Sequence, residues 1–154
     1  MKQPEAIAHL EAQLTLLTEH WPRFSEAEPR HRPGPGRWSK KEVLGHLIDS
    51  AANNHGRFVR AQVAPPPFQL LAYDQDAWVR LGAYQQLPSD ELFALWTSYN
   101  RLLMHLLAQI PEPALATECL TPNNTPVTLN WLLDDYVSHL EQHVRQIVHE
   151  HGQT

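Results

Sequence analysis

The sequence predicts an all-α protein, a four-helix bundle with a short extra helix between the second and third long helices. Four long segments carry apolar residues at spacings of three and four, which is the period of a helix with one buried face. Nearly all of the thirteen prolines lie between these segments, where helices must stop, and no stretch alternates persuasively like a strand. At 154 residues the chain fits one domain spanning 1–154.

Composition excludes several classes of function. The formal net charge of -5 argues against a nucleic-acid partner, because such proteins carry clustered Lys and Arg. No apolar run approaches the roughly 20 residues that span a bilayer, so we expect no membrane partner. Cys119 is the only cysteine, which rules out an intramolecular disulfide, and the N-terminus lacks the apolar core of a signal peptide. Cytoplasmic residence is the expectation.

The first predicted helix covers residues 4–21 and ends at a proline-rich connection. His9 and His20 lie off its apolar stripe and are interpreted as surface residues. The connection at residues 22–38 holds four prolines and two glycines, which favours an extended crossover. A link of this length leaves open whether the first two helices are adjacent or diagonal in the bundle. The stripe consists of Ile7, Leu10, Leu14, Leu17 and Trp21.

The second helix, residues 39–64, has the clearest boundaries. Ser39 and Glu42 form a capping box, in which each side chain accepts a hydrogen bond from the other residue's amide, and prolines 65–67 end the helix. Its predicted core face is Val43, Leu44, Leu47, Ile48, Ala51, Phe58 and Val59.

A second stripe on this helix is polar throughout. It consists of His46, Ser50, Asn53 and Arg57, with Asp49 beside it. One interpretation is a face turned to solvent. The other is a set of groups for specific hydrogen bonds, which the side chains favour because a solvent face usually shows Lys and Glu.

Residues 68–87 connect the second and third long helices and contain the short extra helix, which Asp74 or Gln75 opens and Gly82 closes. Aromatic residues here, among them Tyr73 and Trp78, form either a lid over a pocket or a plug at the end of the bundle.

The third long helix begins with Ser89 as its cap and is mainly core, with His105 on its surface. Residues 117–126 read as polar turns, and Cys119 within them has no neighbouring base, so it is interpreted as incidental. Thr128 caps the fourth long helix, which runs to about Glu150 with Gly152 as a stop signal. The apolar face of the third helix is Leu92, Phe93, Trp96, Tyr99, Leu102, Leu103, Leu106, Leu107 and Ile110.

His139 and His143 lie one turn apart on the fourth long helix, at the edge of its apolar face, so both imidazoles can hold one metal ion. Such a pair is a weak signal in a chain with ten histidines. His46 offers a third ligand. Three histidines with an open fourth position describe a catalytic zinc-type site, because structural sites use four protein ligands and are rich in cysteine.

The segments GRWSKKEVLGHLIDSAANNHGRFVRAQ, AYDQDAWV, LWTSYNRLL and DYVSHLEQHVRQI resemble the DinB/YfiT-like family, most closely its YfiT-like branch, over residues 36–152. The resemblance implies Zn or Ni bound by His46, within HLIDS, and by His139 and His143. It also implies an up-down-down-up bundle and a homodimer. Family activities include hydrolases assigned from the metal site, and transferases and isomerases that use bacillithiol, mycothiol or glutathione.

A bound divalent ion lowers the pKa of water to about 7, or binds a low-molecular-weight thiol cosubstrate as the thiolate. Asp49, Asp135 and Gln142 are candidates for orienting the imidazoles. Arg57 and Asn53 could bind a carboxylate of the substrate or cosubstrate. Alternatively, Asp135 is a surface acid and Arg57 an interhelical salt-bridge partner. Tyr73 and Trp78 complete the set of substrate-binding candidates.

These observations predict a metal-dependent thiol S-transferase or hydrolase acting on a small molecule. Two alternatives stay open. One is a non-catalytic metal-binding or stress-associated interaction module, whose ion is structural or regulatory; a structural ion would be needed for folding. The other is a helical interaction protein without metal.

Overall fold

The computed structural model describes residues 1–149, which form five α-helices and a small sheet. The predicted end of the last helix, near Glu150 and Gly152, lies outside these residues. The helices are α1 Gln3–His20, α2 Lys40–Val63, α3 Gln75–Gly82, α4 Ser89–Ala108 and α5 Leu129–His149. The strands are β1 Phe68–Gln69, β2 Glu118–Leu120 and β3 Pro126–Thr128. Short 3-10 helices occupy Trp21–Arg23, Glu28–Arg30, Tyr84–Gln86 and Glu112–Ala116.

The four long helices form the predicted bundle. Both α1 and α2 pack against α4 and α5, so α1 and α2 lie diagonally opposite each other. The start of α1 meets the start of α5, where the Met1 ammonium lies 2.8 Å from Asp134 Oδ2, so these helices are parallel. The start of α2 meets the end of α5 through a hydrogen bond from Lys40 Nζ to the Ile147 carbonyl.

The start of α1 also meets the end of α4, where Gln3 Nε2 donates to the Ile110 carbonyl over 3.1 Å. Halfway along α2, His55 Nδ1 lies 2.9 Å from the hydroxyl of Tyr99 on α4. The helices therefore run up, down, down and up. The predicted fold is confirmed.

The start of α2 is held by the predicted capping box. Ser39 Oγ accepts from the Glu42 amide, and Glu42 Oε1 accepts from the Ser39 amide, both over 3.1 Å. Arg32, from the preceding connection, donates to both Glu42 oxygens over 2.8 and 3.1 Å. These bonds anchor the crossover and fix where the helix carrying His46 begins.

One core runs through the bundle, and the predicted apolar faces supply most of it. The largest buried side chains include Trp96, Tyr136 and Phe58. Two predicted core residues are exceptions: Val59 is 41% exposed and Leu102 is 50% exposed. Both lie at the edges of their stripes, because the buried faces of α2 and α4 are narrower than the sequence pattern indicates.

The expectation that the chain has no strand is wrong. β1 pairs in parallel with β2, and β2 pairs antiparallel with β3. Residues 117–126, interpreted as turns alone, thus include a strand, with Cys119 between Phe68 and Val127 in register. The sheet ties the connection after α2 to the segment before α5.

The other helix starts largely follow prediction. Thr128 Oγ1 accepts from the Trp131 amide over 3.1 Å at the start of α5, and Asp74 Oδ1 accepts from the Ala77 amide over 3.0 Å at the start of α3. The prediction for Ser89 is wrong, since Pro88 holds the capping position of α4 and no side chain caps it. Among the described residues, no helix is long and apolar enough to cross a bilayer.

Candidate metal centre

The structure brings His46 of α2 together with His139 and His143 of α5. One nitrogen from each ring can be chosen so that all three lie within 4.8 Å of one another. His46 Nε2 is 3.1 Å from His139 Nε2. The packing of α2 against α5 makes this cluster possible, because it places the second turn of α2 beside the middle of α5.

The three rings face one another edge-on. Their centroids lie 4.6 to 4.9 Å apart, with interplanar angles of 73° to 78°. Trp38, in the connection before α2, lies against His46 with 4.9 Å between ring centroids. His46 is buried, while His139 and His143 are half-buried. The cluster therefore lies at the boundary between core and solvent, as the sequence pattern indicated.

A glutamine orients His143. The His143 Nδ1 atom lies 2.8 Å from Gln146 Oε1, an acceptor, so the neutral ring carries its proton on Nδ1 and its lone pair on Nε2. The sequence pattern predicted Gln142 as a residue that orients a histidine ring, but Gln142 is exposed. Gln146, three residues after His143, is on the same side of the helix, and that spacing was the available signal.

Burial keeps two of the rings neutral. It lowers the pKa of His46 to about 3, and the neighbouring charges of His139 and His143 would lower it further if those rings were protonated. Burial also lowers the pKa of His139 to about 4, with a smaller effect from His143. Neutral imidazoles have the lone pairs that a metal ion requires.

The donor set and its spacing fit a divalent ion. Zn–N bonds of 2.0–2.1 Å at a tetrahedral angle separate two ligand atoms by about 3.4 Å. The 3.1 Å between the His46 and His139 nitrogens is close to that value. Three imidazoles suit Zn or Ni and leave further positions of the ion open.

Asp49, predicted to orient a histidine, is held instead by a tyrosine. Its Oδ1 accepts a hydrogen bond from the Tyr84 hydroxyl, and burial raises its pKa while that bond opposes the rise. Asp49 Oδ2 and His46 Nδ1 are both buried and have no hydrogen-bond partner in the described part of the chain. Asp49 is therefore hydrogen-bonded to the 3-10 helix after α3. Within the described residues, packing and not a hydrogen bond to Nδ1 determines the orientation of the His46 ring.

A cavity of about 320 Å³ adjoins the cluster, with His139 on its wall. Ser50, Arg57, Tyr73 and Asp135 also line it, which brings four further groups of the sequence prediction to one place. Ser50 is only 3% exposed, so the polar stripe of α2 does not form a solvent face at this point. The volume of the cavity is at the lower end of the range for sites that hold small molecules.

Arg57 is supported by neutral groups. Its Nη2 donates to the Leu71 carbonyl over 2.6 Å, its Nη1 reaches Asn54 Oδ1 over 3.5 Å, and its guanidinium lies 5.8 Å from the centroid of the Tyr73 ring. Within residues 1–149 no carboxylate lies within 4 Å of it, so the structure gives it no salt-bridge partner. Asn53, the predicted neighbour, donates to the Asp49 carbonyl instead.

Asp135 lies at the mouth of the cavity, four residues before His139. It is exposed on one side and covered on the other, and this burial raises its pKa while the Arg57 guanidinium opposes the rise. Tyr73 forms part of the wall. Trp78 does not line the cavity, but packs edge-on against Tyr73 with centroids 5.7 Å apart and is 43% exposed.

Solved structures share this fold. YfiT from Bacillus subtilis, described as a probable metal-dependent hydrolase with an unusual four-helix bundle topology, superposes with a TM-score of 0.83 and 22% identity. The match covers 95% of this chain and 83% of YfiT. A mycothiol-dependent maleylpyruvate isomerase superposes with a TM-score of 0.67 and 16% identity, over 96% of this chain and 58% of the isomerase. At these identities the likeness shows the fold.

Comparison of sequences identifies the family. No curated protein matches the chain significantly. The family model of the DinB superfamily matches residues 9–147, which is most of the sequence. The chain belongs to the DinB superfamily.

Proposed function

We propose that this chain is a metal-dependent enzyme, a hydrolase or a thiol S-transferase, that acts on a small molecule. One observation carries the proposal: the cluster of His46, His139 and His143 adjoins a cavity that also contains an arginine with no carboxylate of residues 1–149 within 4 Å. A purely structural ion needs no such cavity. YfiT, which shares the fold, is described as a probable metal-dependent hydrolase, and this description supports the proposal.

The nucleophile comes from outside the chain. Cys119 is 0% exposed, and burial raises the pKa of its thiol, with a smaller contribution from the charge of Glu118. A thiol held in its protonated form inside the core is a poor nucleophile. Water and a low-molecular-weight thiol cosubstrate are the two candidates, and the mycothiol dependence of the isomerase with this fold is the reason to test the second.

The ligand role of His46, His139 and His143 is part of this proposal, with Zn or Ni as the ion. When bound, such an ion supplies Lewis acidity that makes water or a thiol nucleophilic at neutral pH. The protein's own task at this end of the cavity is to present neutral nitrogens, which burial of His46 and His139 ensures.

Arg57 binds a carboxylate of the substrate or cosubstrate. Its guanidinium is already oriented by Leu71, Asn54 and Tyr73, so little side-chain freedom is lost when an anion binds. Asp135 accepts or donates a proton at the cavity mouth, because burial raises its pKa and makes its protonated form more accessible than that of a fully solvated carboxyl. A homodimer is also proposed, on the family resemblance alone.

Metal content per chain tests the centre. Wild type and His139→Ala are purified in parallel without an affinity tag and measured by elemental mass spectrometry. We expect about one ion per chain in wild type and little in the variant. Wild type that takes up no ion after incubation with Zn or Ni would contradict the proposal.

Turnover distinguishes the two chemistries. Metal-loaded protein is assayed on small carboxylate-bearing esters, and on small carboxylate-bearing electrophiles with bacillithiol, mycothiol or glutathione. Arg57→Gln should raise KM for these compounds by about tenfold or more, since a charged hydrogen bond is lost. Arg60→Gln, an exposed change one turn along, is the control. Metal binding with no turnover of either class would favour the non-catalytic module.

A further inference from the structure

A second cavity of about 530 Å³ lies apart from the metal centre and shares no lining residue with the first. Its walls come from three places: the connection after α1, the first turn of α2 and the first turn of α4. The side chains that matter here are Trp21, Phe24, Arg30, Lys41 and Asp90. The proposed enzymatic function makes no use of this cavity.

Lys41 is a buried cation with no counterion in the described part of the chain. It is 1% exposed, and its ammonium donates one hydrogen bond, to the Gln85 carbonyl over 3.2 Å. An ammonium has three donors, so two are available to a ligand. Within residues 1–149, no carboxylate lies within 4 Å of it. A buried charge in this condition is costly unless something else neutralises it.

The charge that acts on Lys41 has the same sign. Burial lowers the pKa of Lys41, and the Arg30 guanidinium lowers it further. Glu26 and Asp90 also line the cavity, but both are exposed and neither pairs with Lys41. Lys41 therefore places a positive charge in the inner part of the cavity, while Arg30 and the two acids lie towards solvent.

One glutamine joins two of the three walls, the connection after α1 and the start of α2. Gln85 accepts from Lys41 through its carbonyl, accepts from the Ser39 hydroxyl through Oε1 over 2.9 Å, and donates from Nε2 to the Arg30 carbonyl over 2.9 Å. The Lys41 ammonium is thus held in a fixed position relative to the backbone of Arg30. This arrangement is preorganised for an anion.

Two further features define the ligand. The Glu91 amide donates to Asp90 Oδ1 over 3.0 Å, but within residues 1–149 the amides of Ser89 and Asp90 at the start of α4 have no side-chain cap, which adds hydrogen-bond donors at the same cavity. The buried Trp21 and the half-buried Phe24 pack edge-on, with ring centroids 5.7 Å apart, and give the cavity an aromatic wall. The volume exceeds what a bare inorganic anion needs.

We propose that this cavity binds a small organic anion, whose phosphate or carboxylate group contacts Lys41 and Arg30 and whose flat apolar part packs on Trp21 and Phe24. The site is separate from the metal centre.

Calorimetric titration at constant ionic strength tests the proposal with two probes, phenyl phosphate and phenylacetate, which distinguish the two anionic groups. Wild type should bind at least one of them. Lys41→Met should weaken that binding at least tenfold. The matched control is Arg23→Met, which removes an exposed cation of the same connection that does not line the cavity.

Two more variants make the result decisive. His139→Ala should bind the probe as wild type does, because the metal centre is elsewhere. Arg30→Gln changes an exposed side chain, so it folds whatever happens to Lys41→Met, and should weaken binding several-fold. Failure of wild type to bind either probe, equal binding by Lys41→Met, or loss of binding in His139→Ala would each overturn the proposal.

Discussion

At the scale of single residues, the hydrogen bond between His143 Nδ1 and Gln146 Oε1 determines which nitrogen of His143 is free. Gln146→Leu keeps the volume and removes the acceptor. We expect metal affinity to fall by about 10–100-fold, as for other partners of ligating histidines, while the stoichiometry at saturation is kept. Competition titration against a chromophoric chelator measures the affinity. Gln142→Leu, an exposed change on the same helix, is the control, and equal affinities of the two variants would contradict the assigned role.

Gly45 provides the notch that accepts Tyr84. A Cβ atom at Gly45 would lie 2.0 Å from Tyr84 Cδ2, too close for any real contact. Gly45→Ala should therefore displace the ring, break its hydrogen bond to Asp49, and lower the free energy of unfolding by about 1–3 kcal/mol.

Gly56→Ala is the matched control for Gly45→Ala, because it lies in the same helix with no atom nearer than 3.7 Å. We expect it to be neutral or to stabilise by up to about 1 kcal/mol, since alanine favours a helix over glycine. Urea unfolding of both variants gives the comparison. Equal stabilities would show that the notch has room for a methyl group.

The sequence pattern placed residues on faces but did not resolve contacts. Asn53 was predicted to bind a carboxylate of the substrate or cosubstrate together with Arg57. In the structure, Asn54 is the residue that lines the cavity and contacts Arg57. Adjacent positions on a helix differ by about 100° in direction. Which of the two faces the cavity depends on where the neighbouring helix packs. Gln146 was missed for a related reason, because the ring orientation of His143 depends on packing.

At the scale of elements, the start of α2 contributes a pH-dependent term to stability. Burial raises the pKa of Glu42, but the bonds from Arg32 and Ser39 outweigh it and hold the pKa below its ordinary value of 4.5. A depressed carboxyl pKa stabilises the fold above the ordinary pKa, and this stability is lost as pH falls through the folded-state value.

Glu42→Gln keeps an oxygen that can accept from the Ser39 amide but removes the charge paired with Arg32, so it should destabilise the protein by up to about 1 kcal/mol at pH 7. The difference from wild type should shrink at pH values below 4.5, as the wild-type carboxyl takes up its proton. Thermal unfolding of wild type and Glu42→Gln at a series of pH values measures this difference in stability. Glu11→Gln, an exposed change in α1, should show no such difference, and a gap for Glu42→Gln that stays constant with pH would exclude the electrostatic explanation.

Helices were predictable where local signals mark them, and strands were not. Proline clusters, the Ser39 capping box and regular apolar stripes define the four long helices from the sequence alone. The strands are two or three residues long, too short for an alternating pattern to show. Their pairing joins Phe68 to Cys119 in parallel, a contact that only the assembled bundle brings about.

At the scale of the whole molecule, the diagonal arrangement explains where the metal centre lies. The long crossover separates α1 from α2 and leaves α2 to pack between α4 and α5. This packing places His46 opposite the histidine pair of α5, and the sheet beside it closes the neighbouring cavity through Leu70 and Thr121.

Metal removal distinguishes a catalytic ion from a structural one. The core of the bundle consists of apolar side chains from all four long helices, so folding does not depend on ligands from α2 and α5 alone. Chelation should lower the melting temperature while helix content and cooperativity remain, because an ion present at 100 times its dissociation constant adds only about 2.7 kcal/mol. Circular dichroism with and without EDTA measures this, and His139→Ala, which lacks one proposed ligand, should not respond to EDTA. Complete unfolding of wild type on chelation would mean that binding energy is folding energy, as in small zinc-dependent domains, and the ion would then be structural.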